Sequence, residues 1–501
     1  MTAAHTVTAS MLHDMVSCAH RAHLDLHADP ALADEVSAFV RMLWDQGVAH
    51  EAEMLSELPP RSVDLRDLPP ADRQAATDAA MDAGADLIVG GEIASGDLLA
   101  RPDLIRRGGA GYLPGDVKAG GALDGATGRP KRAYAMQIAL EVDILVRLGR
   151  LSVRKGFIID TRADETVYDL DAPLGPRSPG TLWDAYLATL AEARAIAAGA
   201  GRTSAAASAA CKLCRWRSHC SGELLAADDL TLVPQLGRTV RAALAPTITT
   251  VNALADLDVA AAILPDGRTV FPGVGAQRLA RFRDRARLVR EPALGPRARR
   301  PLPLSRAPVE MFLDIEVDPF GSRTYLHGIV TRRQSPIGDL EDFSAHFTGD
   351  DSLEAERDAF AAALAQLTAE PARIYVWSGY ERTMYRSLAA RHPDVCDAET
   401  VEALFASPDT IDLLSDIVVP MTDWPTHDHS IKTIAKWLGF SWRDREPSGA
   451  ASIQWYRSYL ETGDAAIRER ICNYNEDDCV AELVILDALL RLPVIPPEGG
   501  A

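Results

Sequence analysis

Phe312–Gly321 reads FLDIEVDPFG. From Leu313 to Asp318 aliphatic and acidic residues alternate, and the run then stops at a Pro and a Gly. Such alternation is the pattern of a strand with one buried face, and residues two apart on a strand share a face. Asp314 and Glu316 are therefore neighbours on one side. Like charges so placed repel, so a structural role accounts for them poorly. A bound cation would relieve the repulsion if the chain supplies further carboxylates. From residue 309 onward strands and helices alternate, which predicts an α/β domain.

The chain has 501 residues, enough for about two to four domains. Hydrophobic residues at 47% and charged residues at 25% describe a globular protein. MTAAHTVTASMLHDMVSCAH has no basic n-region and no long apolar run, so no secretory signal is expected. No apolar stretch is long enough to span a bilayer, and a cytoplasmic location is expected. Seven cysteines in such a chain suit metal ligands or core positions better than a disulfide framework. A net charge of −19 argues against a passive nucleic-acid coat. It leaves room for an enzyme on nucleic acid, because phosphate contacts are local.

Residues 1–58 predict two helices, and residues 87–118 predict three short strands, LIVGGEIA, DLLARPDLI and GYLPGDVKAG. KRAYAMQIALEVDILVRLG predicts a long amphipathic helix and RKGFIID a further strand. An Ala-rich stretch then reads as a helix running into a flexible segment. Two of the strands offer Asp103 and Asp116, and Lys118 shares a face with Asp116. Two carboxylates can hold Mg2+, and a lysine beside them can orient water or stabilise phosphate charge. His50 lies on a helix before these strands, and Tyr134 and Gln137 lie on the helix after them. This order resembles the RecB-type PD-(D/E)xK nucleases. The resemblance implies that His50, Asp103 and Asp116 bind Mg2+ or Mn2+, that Lys118 is catalytic, and that Gln137 assists. The chain departs from the pattern at Ala100, where the family has Gly, and at Glu141, where Gln-x-x-x-Tyr would end in Tyr.

CKLCRWRSHC places Cys211, Cys214 and Cys220 within ten residues, and Cys18 is available as a fourth ligand. A remote N-terminal Cys with a C-terminal triplet resembles the iron–sulfur RecB-type nucleases. There a 4Fe–4S cluster ties the two ends of the nuclease domain together. Zn2+ on four thiolates, or on three and His219, is the alternative.

Between the two sets of strands, Pro234–Arg238 and Pro272–Ala276 resemble the hairpins of helix-hairpin-helix motifs, in which backbone N–H groups bind phosphate. Gly237, Arg238, Gly273 and Gly275 belong to them. Arg278, Arg281, Arg283, Arg285, Arg287 and Arg290 follow the second, the most basic run in an acidic chain. A solvated helix face or a DNA backbone contact would each explain it. Residues 291–307 are rich in Pro and Arg and read as a linker.

Downstream of the opening strand, YNEDDC gives Tyr474 and Asp478 one helical turn apart on one face. Glu381 and Asp412 lie between. A D-x-E strand, a middle acid and a helical Tyr-x-x-x-Asp resemble the DEDD exonucleases of the RNase H-like fold. In that resemblance four carboxylates hold two divalent metals and Tyr474 orients the attacking water. Glu381 or Asp412 fills the middle position, because GYE stands where the family's Asn-to-Asp spacing would be. SIKTIAKWLG packs near such a site, and His427 and His429 are loop residues that could serve as ligands.

The expected fold is α/β, in three parts: a PD-(D/E)xK restriction-endonuclease-like domain at 1–225, a helix-hairpin-helix-like linker at 226–305, and an RNase H-like domain at 306–501. The whole resembles a RecB-like nuclease family and implies metal-dependent hydrolysis of DNA at single strands or ends. The rival is a nucleic-acid-binding scaffold. No G-x-x-x-x-G-K-[ST] loop is present, so any helicase motor would be a separate partner.

Overall fold

The computed structural model describes residues 6–55, 59–125, 127–160, 163–175, 178–319 and 323–496. Of the Pro and Gly at which the opening run stops, Pro319 is described, and Phe320 and Gly321 lie outside these residues. The chain divides into two compact units, Met1–Glu223 and Leu224–Ala501. Among the described residues no helix is long and apolar enough to cross a membrane.

The first unit runs β1 (Val7–Thr8), α1 (Ala9–His27), α2 (Ala38–Met54), β2 (Ser62–Asp64), α3 (Pro70–Asp82), β3 (Leu87–Val89), β4 (Ile93–Ser95), β5 (Leu98–Ala100), β6 (Leu104–Gly108), β7 (Gly111–Val117), α4 (Arg132–Arg147), β8 (Lys155–Ile159), β9 (Glu165–Asp169) and α5 (Leu182–Ala197); α6 (Arg217–Ala226) follows. Residues 87–118 hold five strands rather than three. Left-handed backbone at Gly90 cuts the first expected strand, and the second is interrupted between Ala100 and Leu104, around Pro102. The main sheet has the order β2-β3-β6-β7-β8-β9, and a small one the order β1-β5-β4. α4 is the crossover between parallel β7 and β8. Every residue from Ile138 to Leu145 on it is buried, so Glu141 and Asp143 are carried into the core. Asp143 pairs with Arg147 and Tyr186. α1 is not continuous, because Cys18 leaves helical geometry at φ −161° and ψ 103°. After α5, the stretch expected to be flexible has Ala205 and Ala206 buried.

The second unit continues with α7 (Arg238–Leu244), α8 (Val251–Ala255), α9 (Ala276–Arg290) and β10 (Arg297–Ala298). Then come β11 (Val309–Asp318), β12 (Arg323–Arg333), β13 (Leu340–Phe347), α10 (Leu353–Thr368), β14 (Arg373–Val376), α11 (Tyr380–Arg391), α12 (Ala398–Phe405) and β15 (Thr410–Asp412). Last are α13 (Val419–Met421), β16 (Thr422–Asp423), α14 (Ile431–Trp437), α15 (Gly449–Thr462) and α16 (Ala465–Leu489). Its sheet has the order β13-β12-β11-β14-β15. β11 pairs antiparallel with β12 and parallel with β14. It is thus a central strand with both faces covered, not the half-buried strand that alternation suggests. Met311, Leu313 and Ile315 pack with Phe360, Leu364 and Tyr385 on one side. Phe312 packs with Ile434, Leu483 and Leu486 on the other, the face shared by Asp314 and Glu316. Gly328 on β12 lets α16 come close: a Cβ there would lie 1.6 Å from Asn475 Oδ1.

The segment expected as a separate linker groups with the second unit. β10 pairs with β16, and Asp423 on β16 is 0% exposed. It accepts from Arg285 Nε at 2.9 Å, Arg299 Nη1 at 2.6 Å and Arg281 Nε at 3.3 Å. Together these guanidiniums outweigh burial and hold the Asp423 carboxyl below its usual range.

Removing one partner of a buried ion network leaves the rest uncompensated, at about 3–5 kcal/mol. Asp423→Asn should destabilise the second unit by that order, read from urea unfolding of the full chain. A chain starting at residue 306 lacks all three arginines and should fail to fold by near-UV circular dichroism.

Candidate functional site

In the second unit Asp314, Glu316 and Asp478 bring carboxylate oxygens within 4.8 Å of one another. Two come from neighbouring same-face positions on β11, and the third from α16, which packs across that face. A register shift at Glu316/Val317 marks where the strand departs from regular pairing. Asp318, the third acid of the opening run, is spent on Arg457 at 2.9 Å. Asp314 accepts from Asn475 Nδ2 at 2.6 Å, Asp478 from Trp442 Nε1 at 2.8 Å, and Glu316 from Tyr325 Oη at 3.2 Å. Burial, then Asp478, Glu316 and Glu381, push the Asp314 carboxyl well above the usual range. Burial and then Asp478 raise Glu316 to about 8.

Lys432 on α14 is the cation that opposes these shifts at all three acids. Its Nζ donates to Tyr474 Oη at 2.7 Å and to the Pro447 carbonyl at 2.8 Å. Tyr474 is within hydrogen-bonding reach of Asp478. Lys432 went unnoticed in the sequence, although its helix was expected near the site; a lysine in KTIAKW reads as an exposed helix face. Glu381, in the first turn of α11, is 3% exposed, and burial raises it to about 8. Asp412 ends β15 and caps the next turn through Ser415 N at 2.7 Å. The two histidines belong elsewhere. His427 Nδ1 lies 3.1 Å from the Leu232 carbonyl, and His429 sits by Arg285 and Asp423.

In the first unit, Asp103 immediately precedes β6 and Asp116 lies on β7. Asp103 accepts from Val117 N at 2.8 Å, and Asp116 accepts from Asp103 N at 3.3 Å. Gln137 Nε2 donates to Asp116 at 2.6 Å, and Lys118 Nζ lies 3.4 Å from the same carboxylate. The expected residues of β7 and α4 therefore converge. Burial opposes the Lys118 ammonium, but Asp116, Asp103 and Glu141 outweigh it and hold its pKa above the ordinary lysine value. Burial and then Asp116 push Asp103 well up. His50 Nε2 is enclosed without a hydrogen-bond partner among the described residues. Its neighbour Glu51 is the α2 residue whose charge registers at Asp103. Glu51 and Glu141 were not assigned from sequence; the His–Glu neighbours and the Gln137-to-Glu141 turn spacing were the available signals.

Cys18, Cys211, Cys214 and Cys220 line one cavity with Arg21 and Trp216. The break in α1 falls at Cys18 itself. Burial pushes the Cys220 thiol up to about 12, with Cys214 next among the causes. His219, the alternative fourth ligand, is absent from this lining and lies 3.3 Å from Glu223. His20, Cys220 and Glu223 form a second group within 4.8 Å.

The two hairpins have matching backbones. Gln235 and Gly273 take positive φ, and Gly237 and Gly275 cap α7 and α9. The arginine run is mostly internal. Arg283 and Arg285 are buried, Arg281 is turned to Asp423 and the Thr422 carbonyl, and Arg287 donates to the Ala255 carbonyl at 2.9 Å. Arg278 is exposed, over the ring of Phe282. The run as a whole is therefore neither of the two faces weighed from sequence.

Compared with known families, residues 311–490 match the RNase H superfamily. The match spans β11 to the end of α16 and includes every acid of the second-unit site. No curated protein matches the chain.

Glu316 and Glu381 carry pKa values raised from 4.5 to about 8. The folded protein therefore binds more protons than the unfolded chain between those values, and stability falls as pH rises across that window. In EDTA the melting temperature should drop from pH 5 to pH 8, and Glu316→Gln should flatten that slope.

Proposed function

We propose that this chain is a metal-dependent nuclease that hydrolyses phosphodiester bonds of DNA at single strands or ends. The observation that carries the reading is the buried convergence of Asp314, Glu316 and Asp478 inside the segment that matches the RNase H superfamily. A donor set made only of carboxylates suits Mg2+ or Mn2+. Bound there, such cations supply Lewis acidity that activates water and stabilises the leaving oxygen. Trp442 and Asn475 fix the two outer carboxylates. Tyr474 keeps its proton, because burial and then Asp478 push its pKa well up. Its hydroxyl, held by Lys432, orients the attacking water.

The first unit is proposed as a second hydrolytic site of the PD-(D/E)xK kind. Asp103 and Asp116 hold the cation with His50 or Glu51, Gln137 fixes Asp116, and Lys118 stabilises charge on the phosphate. The four cysteines are proposed to hold a 4Fe–4S cluster as a structural staple; four cysteines on one cavity are the ligand set such a cluster takes. The hairpins at Gly237 and at Gly273–Gly275, with Arg238 and Arg278, are the proposed contact to the strand backbone. A role in DNA repair, recombination or defence follows from such an activity.

End-labelled single-stranded DNA with Mn2+ tests the reading. Asp314→Asn and Lys118→Ala together should lower cleavage about a hundredfold or more while binding persists. Either variant alone reports the other site. Cleavage by the double variant at the unsubstituted rate overturns the proposal. Anaerobically purified protein should be brown and contain iron, and Cys214→Ala should lose the colour; colourless protein with bound zinc would replace the cluster by Zn2+.

A further inference from the structure

His20 and Glu223 lie outside every role assigned above. His20 is on α1, two residues beyond the break at Cys18. Cys220 and Glu223 are three apart on α6 and so share a face of it. A ligand atom from each of the three lies within 4.8 Å of the other two. His20 is 8% exposed, and its Nδ1 is 2.9 Å from Thr203 Oγ1, which orients the ring. Its Nε2 is enclosed and makes no hydrogen bond among the described residues, although Glu223 Oε2 lies 3.5 Å away. The other oxygen of that carboxylate, Oε1, lies 3.3 Å from His219 Nε2.

We propose that His20, Cys220 and Glu223 form a mononuclear Zn2+ site, distinct from the four-cysteine set although it shares one thiolate with it. Imidazole, thiolate and carboxylate are the donors that Zn2+ takes, and the sulfur and nitrogen argue against Mg2+ or Ca2+. Among the described residues no three of the four cavity cysteines bring their sulfurs within 4.8 Å of one another. A single small ion is therefore met more closely here than among the thiolates. Thr203 is the outer partner of a metal-bound histidine: it accepts from Nδ1 and leaves the Nε2 lone pair for the ion. His219 steadies the carboxylate through Oε1. A buried ring nitrogen without a partner costs free energy, and an ion between Nε2, Sγ and Oε2 removes that cost. A plain His20–Glu223 ion pair accounts for the group less well, because it would put a hydrogen bond where none is made and leaves Cys220 unexplained. Three protein ligands leave a fourth position, which water reaches because the Glu223 side chain is half exposed. Since Cys220 is shared, Zn2+ here competes with the cluster, and the site fills in protein that lacks one.

The test uses the full chain, reduced and stripped of iron, with Co2+ as the spectroscopic stand-in for Zn2+. The carboxylate sites of the two units give no thiolate-to-cobalt charge-transfer band, so that band reports this position. The parent should show it, and added Zn2+ should abolish it. His20→Gln and Glu223→Gln should each weaken Co2+ binding about tenfold or more, whereas Cys18→Ser should leave band and affinity unchanged. Glu223 is half exposed, so its variant decides the matter if His20→Gln does not fold. No band in the parent overturns the proposal. So does a band that the folded glutamine variants keep at parent affinity, or one that Cys18→Ser removes; either puts the ion on the four cysteines. The iron content of anaerobically purified protein, read separately, decides the cluster, so the two readings fail independently.

Discussion

Carboxylates withdrawn from water without enough positive charge beside them are the constraint on which both units turn. In the first unit Asp103, Asp116 and Glu141 share Lys118. In the second, Asp314, Glu316 and Asp478 share Lys432, while Glu381 stands without one. Isolated, each such group would be expelled or neutralised. They are retained because rigid elements hold them: a central strand, a long helix across it, and a crossover helix buried from Ile138 to Leu145. The fold therefore supplies the energy that keeps these charges together, and its stability is coupled to whatever neutralises them.

The segment before the second sheet shows the opposite solution. Three guanidiniums meet one carboxylate, Asp423, and the pairing is satisfied within the protein. Arginines that would serve an outside phosphate are used up in welding residues 281–299 to the strand at 422–423. The same residue types thus mean two things, and the difference lies in whether their counter-charge is internal.

Much of the site was legible in the sequence because its residues sit at fixed periods. Asp314 and Glu316 share a strand face, Tyr474 and Asp478 share a helix face, and Asp116 and Lys118 follow the same rule. What was not legible depends on distant contacts. Lys432 reads as a surface lysine until α14 is docked. Alternation implied a half-exposed β11, yet acids aimed into a buried site are polar for functional reasons, so the pattern misreports burial. The five strands between 87 and 117 read as three because the turn at Gly90 and the break at Arg101–Asp103 each lie inside a run bounded by apolar residues. The arginine run was misread because composition cannot tell an internal partner from an external one.

The broken helix at Cys18 has a consequence for how the chain is made. Its cavity partners, Cys211, Cys214 and Cys220, lie about two hundred residues downstream. During synthesis Cys18 leaves the ribosome early and waits, a solvated thiol on an unfinished helix, until almost the whole first unit has followed. The entropic cost of closing a loop grows only slowly with its length, so the separation in sequence is no obstacle to bringing the four side chains to one cavity once the first unit folds. A nascent chain that ends before residue 211 therefore carries Cys18 without any of the three cysteines that share its cavity in the folded unit.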